Sequence, residues 1–259
     1  MKYLLDFRLK EISHSSPDDA MLVLEATDPV KGRKVLGEAR PGQFVNIQVL
    51  RSHSTFLRRP ISICDVDADR ALLSLYVKNA GPATAALCSA PVGETFSILM
   101  PLGNGFDFSH RPERPLLIAG GVGIAPMLLT AKEMNKAGIR PGILIGAVSA
   151  DRLILTRELA EAGELFISTD DGSLGEKGFV SQHSALGRPW TDIYCCGPLP
   201  MMKNIASIAA GRDIPCQVSL ENVMACGVGA CLCCVEDTKE GNLCVCKEGP
   251  VFDTKRLKW

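Results

Sequence analysis

The sequence predicts a β-barrel followed by an α/β domain, with a small cysteine-bearing module at the end. Three observations predict it. Up to about residue 110, short alternating or β-branched apolar runs recur between turn residues. Beyond a Pro-rich charged linker at 110–115, strand-like runs alternate with helical ones, the pattern of a doubly wound parallel sheet. From about residue 221 cysteines crowd the chain. These shifts divide the chain into 1–110, 111–220 and 221–259.

The barrel strands are expected at 21–26, 44–49, 71–77 and 95–99. Asp28-Pro29, Pro41-Gly42 and Pro91-Val92-Gly93 read as turns between them, and one helix interrupts at 82–89. In the second domain, strands at 116–120, 142–148, 165–169 and 192–196 alternate with helices at 127–137, 155–162, 180–185 and 200–210. The chain has 259 residues, 46% hydrophobic and 22% charged, which suits an ordinary globular protein of two domains plus a small addition. A net charge of −1 and 5% aromatics give no basis for binding nucleic acid or a polybasic membrane surface. The longest apolar stretch, 115–129, is too short to span a bilayer, and the charged N-terminus is not a signal peptide. Eleven cysteines in such a chain point to a reducing cytoplasm with buried or cofactor-bound thiols.

Cys226, Cys231 and Cys234 stand at C-x4-C-x2-C spacing, with Cys246 downstream, the pattern of a plant-type [2Fe–2S] loop. A two-iron cluster needs two thiolates per iron, and Gly227 and Gly229 let the backbone curl round its sulfides. Zinc is the alternative, but the four-residue first gap and the C-x-C pair of Cys244 and Cys246 fit it poorly. A disulfide framework or plain buried thiols are the remaining readings. Cys233 and Cys244 each neighbour a proposed ligand, so spacing alone leaves them open as substitutes.

Gly120-Gly121-Val122-Gly123-Ile124-Ala125-Pro126 lies between the first strand of the second domain and its helix. A dinucleotide pyrophosphate binds at such a place, against the helix N-terminus. Gly121 and Gly123 admit phosphate oxygens, and Pro126 suits the first helical turn. Without a ligand the same loop is a tight turn. Cys196-Gly197-Pro198 closes the fourth strand, where Cys196 either faces a nicotinamide or is a small buried hydrophobe. Asp151 and Arg152 follow the second strand; the acid suits NAD and the arginine NADP, with the balance towards NAD.

In the barrel, Arg58-Arg59 offers a donor fork to a diphosphate, or is a surface pair. Pro60, Ile61 and Ser62 can run extended past a planar ring. Tyr76-Val77-Lys78 and the segment Gly81 to Thr84 can clamp the same ligand, with the Thr84 hydroxyl on phosphate. The four histidines, His14, His53, His110 and His183, lie in expected loops and read as solvated.

Taken in order, Arg59-Pro60-Ile61-Ser62, Gly81-x-Ala83-Thr84, the segment Pro101 to Phe106, the Gly120 to Pro126 loop and Cys196-Gly197-Pro198 resemble the ferredoxin–NADP reductase superfamily. The Cys226 loop with Cys246-Lys247-Glu248-Gly249-Pro250-Val251-Phe252 is similar to the electron-transfer subunits of type B dihydroorotate dehydrogenases. The resemblance covers essentially the whole chain. It implies FAD along Arg59, Pro60, Ile61, Ser62, Tyr76, Val77, Lys78, Gly81, Ala83 and Thr84. It implies NAD at Gly120, Gly121, Gly123, Pro126, Cys196, Gly197 and Pro198, and a [2Fe–2S] cluster on Cys226, Cys231, Cys234 and Cys246. It also implies a partner, an FMN-containing catalytic subunit that oxidises dihydroorotate in pyrimidine (UMP) biosynthesis, in a heterotetramer with two of each chain. Electrons would pass from FMN through the cluster and FAD to NAD, with the pyrimidine chemistry in the partner and no general base here.

Two departures stand out. The family often has Gly-x-Gly-Thr where this chain has Gly81-Pro82-Ala83-Thr84, and the Cys234 to Cys246 interval varies among relatives. The rivals are a small FAD/[2Fe–2S] subunit of a ferredoxin-dependent NAD(P) reductase complex and a zinc-stabilised binding module.

Overall fold

The computed structural model describes residues 1–52 and 54–259; His53 lies outside the described residues. Six antiparallel strands close the barrel: β1 (Tyr3–Ser13), β2 (Asp19–Ala26), β3 (Phe44–Ile47), β4 (Arg59–Asp67), β5 (Leu72–Lys78) and β6 (Thr95–Leu102). Their order round the barrel is β1-β2-β5-β4-β3-β6, with β6 returning to β1. Alternation along each strand fills the interior with Phe7, Leu9, Leu22, Leu24, Leu73 and Leu75, all fully buried.

Two helices, not one, interrupt the barrel: α1 (Pro29–Gly37) and α2 (Pro82–Cys88). Asp28-Pro29 is a helix start rather than a turn. The Asp28 carboxylate accepts the Lys31 N–H at 3.1 Å, and Pro29 fills the first position, where no N–H is needed. The first strand, β1, carries charge at alternate positions and was not among those the pattern marked out.

The second domain is built on β7 (Pro115–Gly120), β8 (Gly142–Ala147), β9 (Glu164–Thr169), β10 (Glu176–Lys177), β11 (Asp192–Cys196) and β12 (Cys216–Ser219), with α3 (Ala125–Lys136), α4 (Thr156–Ala162) and α5 (Leu199–Ala210). These six strands run parallel, in the order β10-β9-β8-β7-β11-β12. β7, at the centre, is buried at all six positions. The expected helix at 180–185 is instead two 3-10 turns, Val180–Gln182 and Ser184–Gly187.

The cysteine segment is part of this sheet. After the hairpin β13 (Val235–Thr238) and β14 (Gly241–Cys244) and the single turn α6 (Val245–Glu248), β15 (Val251–Asp253) joins β12 antiparallel and ends the sheet. Phe252 on β15 is 1% exposed and packs into the sheet core. Among the described residues no helix is long and apolar enough to cross a membrane.

Candidate functional site

The glycine loop packs backbone on backbone. A Cβ on Gly123 would sit 2.4 Å from the Cys196 carbonyl oxygen and 2.7 Å from the Gly197 nitrogen. One on Gly120 would meet Met201 Sδ at 2.7 Å, and one on Gly197 would meet Gly120 backbone at 3.0 Å. Two sequence-predicted stretches, Gly120 to Pro126 and Cys196 to Pro198, are therefore one structure at the ends of adjacent strands β7 and β11. Gly121 differs: its φ is +56° and a Cβ there meets nothing within 4 Å, so the loop surface is open at that point. Pro126 is buried in the first turn of α3. Cys196 is 1% exposed, and burial pushes its thiol up, so it behaves first as a core side chain.

A cleft of about 670 Å³ opens between barrel and sheet. It brings Tyr76 and Lys78 of β5 together with Gly120, Gly121 and Pro198. Alternation explains Val77, which packs into the barrel core at 1% exposure and does not line the cleft. Burial and a bond to Asp19 raise the Tyr76 phenol above its usual range. Arg59, Pro60, Ile61 and Ser62 open β4 and are half-buried. The arginine pair splits in role. Arg58 donates to the carbonyls of Asn46 (3.3 Å) and Ser97 (2.5 Å) and to Gln48 Oε1 and Ser97 Oγ. The Arg59 guanidinium has no such partner among the described residues.

Gly81 is the N-cap of α2, and Ala83 packs into the barrel. The Thr84 hydroxyl donates to the Gly81 carbonyl at 3.0 Å and accepts the Ala80 N–H at 2.9 Å. Its proton is thus committed locally, and the free donors at this helix start are the Ala83 and Thr84 N–H groups.

The cysteine loop folds on left-handed glycines, Gly227 at φ +70° and Gly229 at φ +84°. Successive N–H groups then face different sulfurs. Val228 and Ala230 each donate to Cys226 Sγ at 3.4 Å, and Gly229 donates to Cys246 Sγ at 3.1 Å. Cys246 N–H donates to Cys234 Sγ at 3.4 Å. Against the upward push of burial, the N–H groups of Val228, Cys231 and Ala230, with the Cys231 side chain, bring the Cys226 thiol down to about 6. Burial, then the bond to Cys234, push Cys246 up to about 12. Cys233 is exposed and Cys244 sits in β14 opposite Val235; neither sulfur takes a loop N–H among the described residues. Among those residues no three His, Cys, Asp or Glu side chains gather closely enough to hold a metal ion as they stand.

The loop rests on the barrel. Asn46 of β3 donates through Nδ2 to the Cys226 carbonyl at 3.3 Å, and its own register partner is Pro60. Asn46 is 1% exposed and its Oδ1 has no partner, a buried acceptor at the junction of loop and barrel.

Sequence reasoning missed Asn46, and it missed Ser16, Asp18 and Asp170, which line the cleft. The turn carrying Ser16 and Asp18 holds no ligand motif; only folding brings it to the sheet. Glu221 lies just past β12, where desolvation by the surrounding protein raises its carboxyl. Of the histidines, His183 is buried, its Nδ1 accepting the Ala185 N–H at 3.0 Å. His110 pairs with Asp192 at 2.7 Å, and His14 Nδ1 donates to the Asp19 carbonyl at 2.5 Å.

A family model described as the iron–sulfur cluster binding domain of dihydroorotate dehydrogenase B matches residues 221–258, and one described as an oxidoreductase NAD-binding domain matches 117–207. Over 232 residues the chain is 37% identical to the dihydroorotate dehydrogenase B (NAD(+)) electron transfer subunit of Fusobacterium nucleatum, covering 86% of this chain and 88% of that one. It is 39% identical over 222 residues to the same subunit of Streptococcus pneumoniae strain R6, covering 83% and 86%. In three dimensions it superposes on a subunit of an NADH-dependent reduced ferredoxin–NADP oxidoreductase with a TM-score of 0.84 and 28% identity, over 98% of this chain and 90% of that one. It also shares its fold with the FAD/NAD-binding domain of a Vibrio cholerae nitric oxide dioxygenase, at a TM-score of 0.70 and 22% identity over 81% and 94%. The cysteine module and the sequence identities separate these, and the chain belongs to the family of dihydroorotate dehydrogenase B (NAD(+)) electron transfer subunits.

Proposed function

We propose that residues 1–110 hold FAD, that 111–220 bind NAD and that 221–259 hold a [2Fe–2S] cluster on Cys226, Cys231, Cys234 and Cys246. The chain would work in the cytoplasm as half of a heterotetramer, two copies with two FMN-bearing catalytic subunits that oxidise dihydroorotate. The observation that supports this best is Asn46, which touches the cysteine loop on one side and pairs with Pro60 on the other. The proposed cluster and flavin segments are thereby neighbours.

When bound, FAD and the cluster would supply hydride exchange with NAD and single-electron exchange with the partner. The chain's own residues do the rest. Cys226, Cys231, Cys234 and Cys246 would hold the cluster, and the N–H groups of Val228, Gly229 and Ala230 would stabilise negative charge on sulfur. The half-buried Arg59 to Ser62 segment and Tyr76 and Lys78 would shape a barrel wall for a flat ring. Ala83 and Thr84 N–H groups and the Arg59 fork suit its diphosphate. The open surface at Gly121 suits the pyrophosphate of NAD.

Co-purification with the catalytic subunit, followed by an assay of dihydroorotate-dependent NADH formation, tests this. Cys231→Ser should abolish NADH formation while dihydroorotate still bleaches the partner's FMN. Persistent NADH formation would take the cluster off the route. A colourless protein holding zinc would favour the zinc module.

A further inference from the structure

We propose that Arg152 is the arginine placed to accept the 2′-phosphate of NADP, and that Asp18 of the barrel keeps it from doing so. The choice of NAD would then be made across the boundary between the two domains. The inference rests on the reading that the cleft binds a nicotinamide dinucleotide.

The two dinucleotides differ only by a phosphate on the adenosine ribose. In a doubly wound sheet that ribose lies beyond the carboxyl ends of the strands. Here the ends of β8 and β9 bring Ala147, Val148, Arg152 and Asp170 to the cleft wall. An arginine fork there is ordinarily a phosphate site. In this chain the fork is already engaged. Arg152 Nη1 lies 3.2 Å from Asp18 Oδ2 and 3.5 Å from Ser16 Oγ, and its Nε lies 3.6 Å from Asp151 Oδ2.

Asp18 is held where it can do this. It sits in the turn between β1 and β2, and its carbonyl accepts the Asn79 N–H at 2.8 Å at the end of β5. The next carboxylate, Asp19, is occupied by the N–H groups of Ser15 and Ser16 and by the Ser16 hydroxyl. Asp151 is steadied by Ser149 Oγ at 2.5 Å. Asp170 adds a further carboxylate to the same wall, with Lys78 the other cation lining it. A 2′-phosphate would have to displace a carboxylate from Arg152 and approach Asp170, whereas a 2′-hydroxyl does neither. The Arg152 and Asp18 side chains are 44% and 57% exposed, so the pair adds little to stability and can be broken without unfolding the chain.

The test is calorimetric binding of 5′-AMP and 2′,5′-ADP to the assembled protein, which needs no turnover. The wild type should prefer 5′-AMP. Asp18→Asn should move the ratio of the two dissociation constants towards 2′,5′-ADP by about tenfold, the scale of one nearby charge in a partly solvated cleft. Adding Arg152→Ala should cancel the gain. Should the Asn variant not fold, Asp18→Ser gives the same comparison. A ratio unchanged by loss of the Asp18 carboxylate, or a gain that survives Arg152→Ala, overturns the clamp while leaving the nucleotide reading intact. If 5′-AMP does not bind the wild type, the nucleotide reading itself falls and the clamp with it.

Discussion

The chain has two glycine-rich loops, and they use glycine for different ends. In the loop after β7, Gly123 exists so that one backbone can lie against another; the atoms a Cβ would strike are the Cys196 carbonyl and the Gly197 nitrogen. In the cysteine loop, Gly227 and Gly229 exist to reach positive φ and turn N–H groups onto sulfur; the atoms a Cβ would strike are the side-chain ends Asn46 Nδ2 at 2.7 Å and Lys247 Cδ at 2.9 Å. A fixed backbone cannot give way, but a lysine methylene can. The first loop is a packing joint with one open point, and the second is a conformational device. Glycine content alone does not tell them apart.

That contrast breaks most sharply at Gly123→Ala, which should lower thermal stability by about 3 kcal/mol, because the new methyl has only backbone to push against. A melting curve within experimental error of the wild type would mean that the two loops do not differ in this way. Gly229→Ala should cost about 2 kcal/mol in urea unfolding, mainly from the left-handed backbone. Its distinguishing mark should be reduced iron per chain after reconstitution, since the N–H to Cys246 would swing away; full iron retention would count against it. Gly121→Ala should be mildest for the fold, about 1 kcal/mol, yet it should weaken NADH binding in a fluorescence titration, because its methyl would fill the open surface. Unchanged affinity would show that the open point is not where the nucleotide sits.

Local signals were readable before folding and distant ones were not. The βα alternation after 115 concerns residues a few positions apart and, except at 180–185, corresponds to structure; the C-x4-C-x2-C spacing is equally local and falls within the matched iron–sulfur cluster binding domain. Asp28-Pro29 was also local, but a turn and a helix start share that dipeptide, and the Lys31 N–H decides between them. The division of labour between Arg58 and Arg59 depends on Ser97, on a strand far along the sequence. Asp18 is invisible as a site residue because its partner Arg152 belongs to the other domain. The same holds for Asn46, a polar residue within an apolar strand whose meaning comes only from Cys226 above it. His183 read as solvated, yet it packs edge-on to Phe166 inside the second domain.

The two borders of the seven-stranded sheet have a consequence for assembly. One ends in β15, three residues long and running against the direction of the rest. The other ends in β10, two exposed residues of opposite charge, Glu176 and Lys177. Neither offers a length of unpaired backbone on which another chain could add a strand. Along this sheet a partner would therefore meet side chains and loops rather than extend a strand. The seven-stranded sheet is thus closed to added strands at both borders.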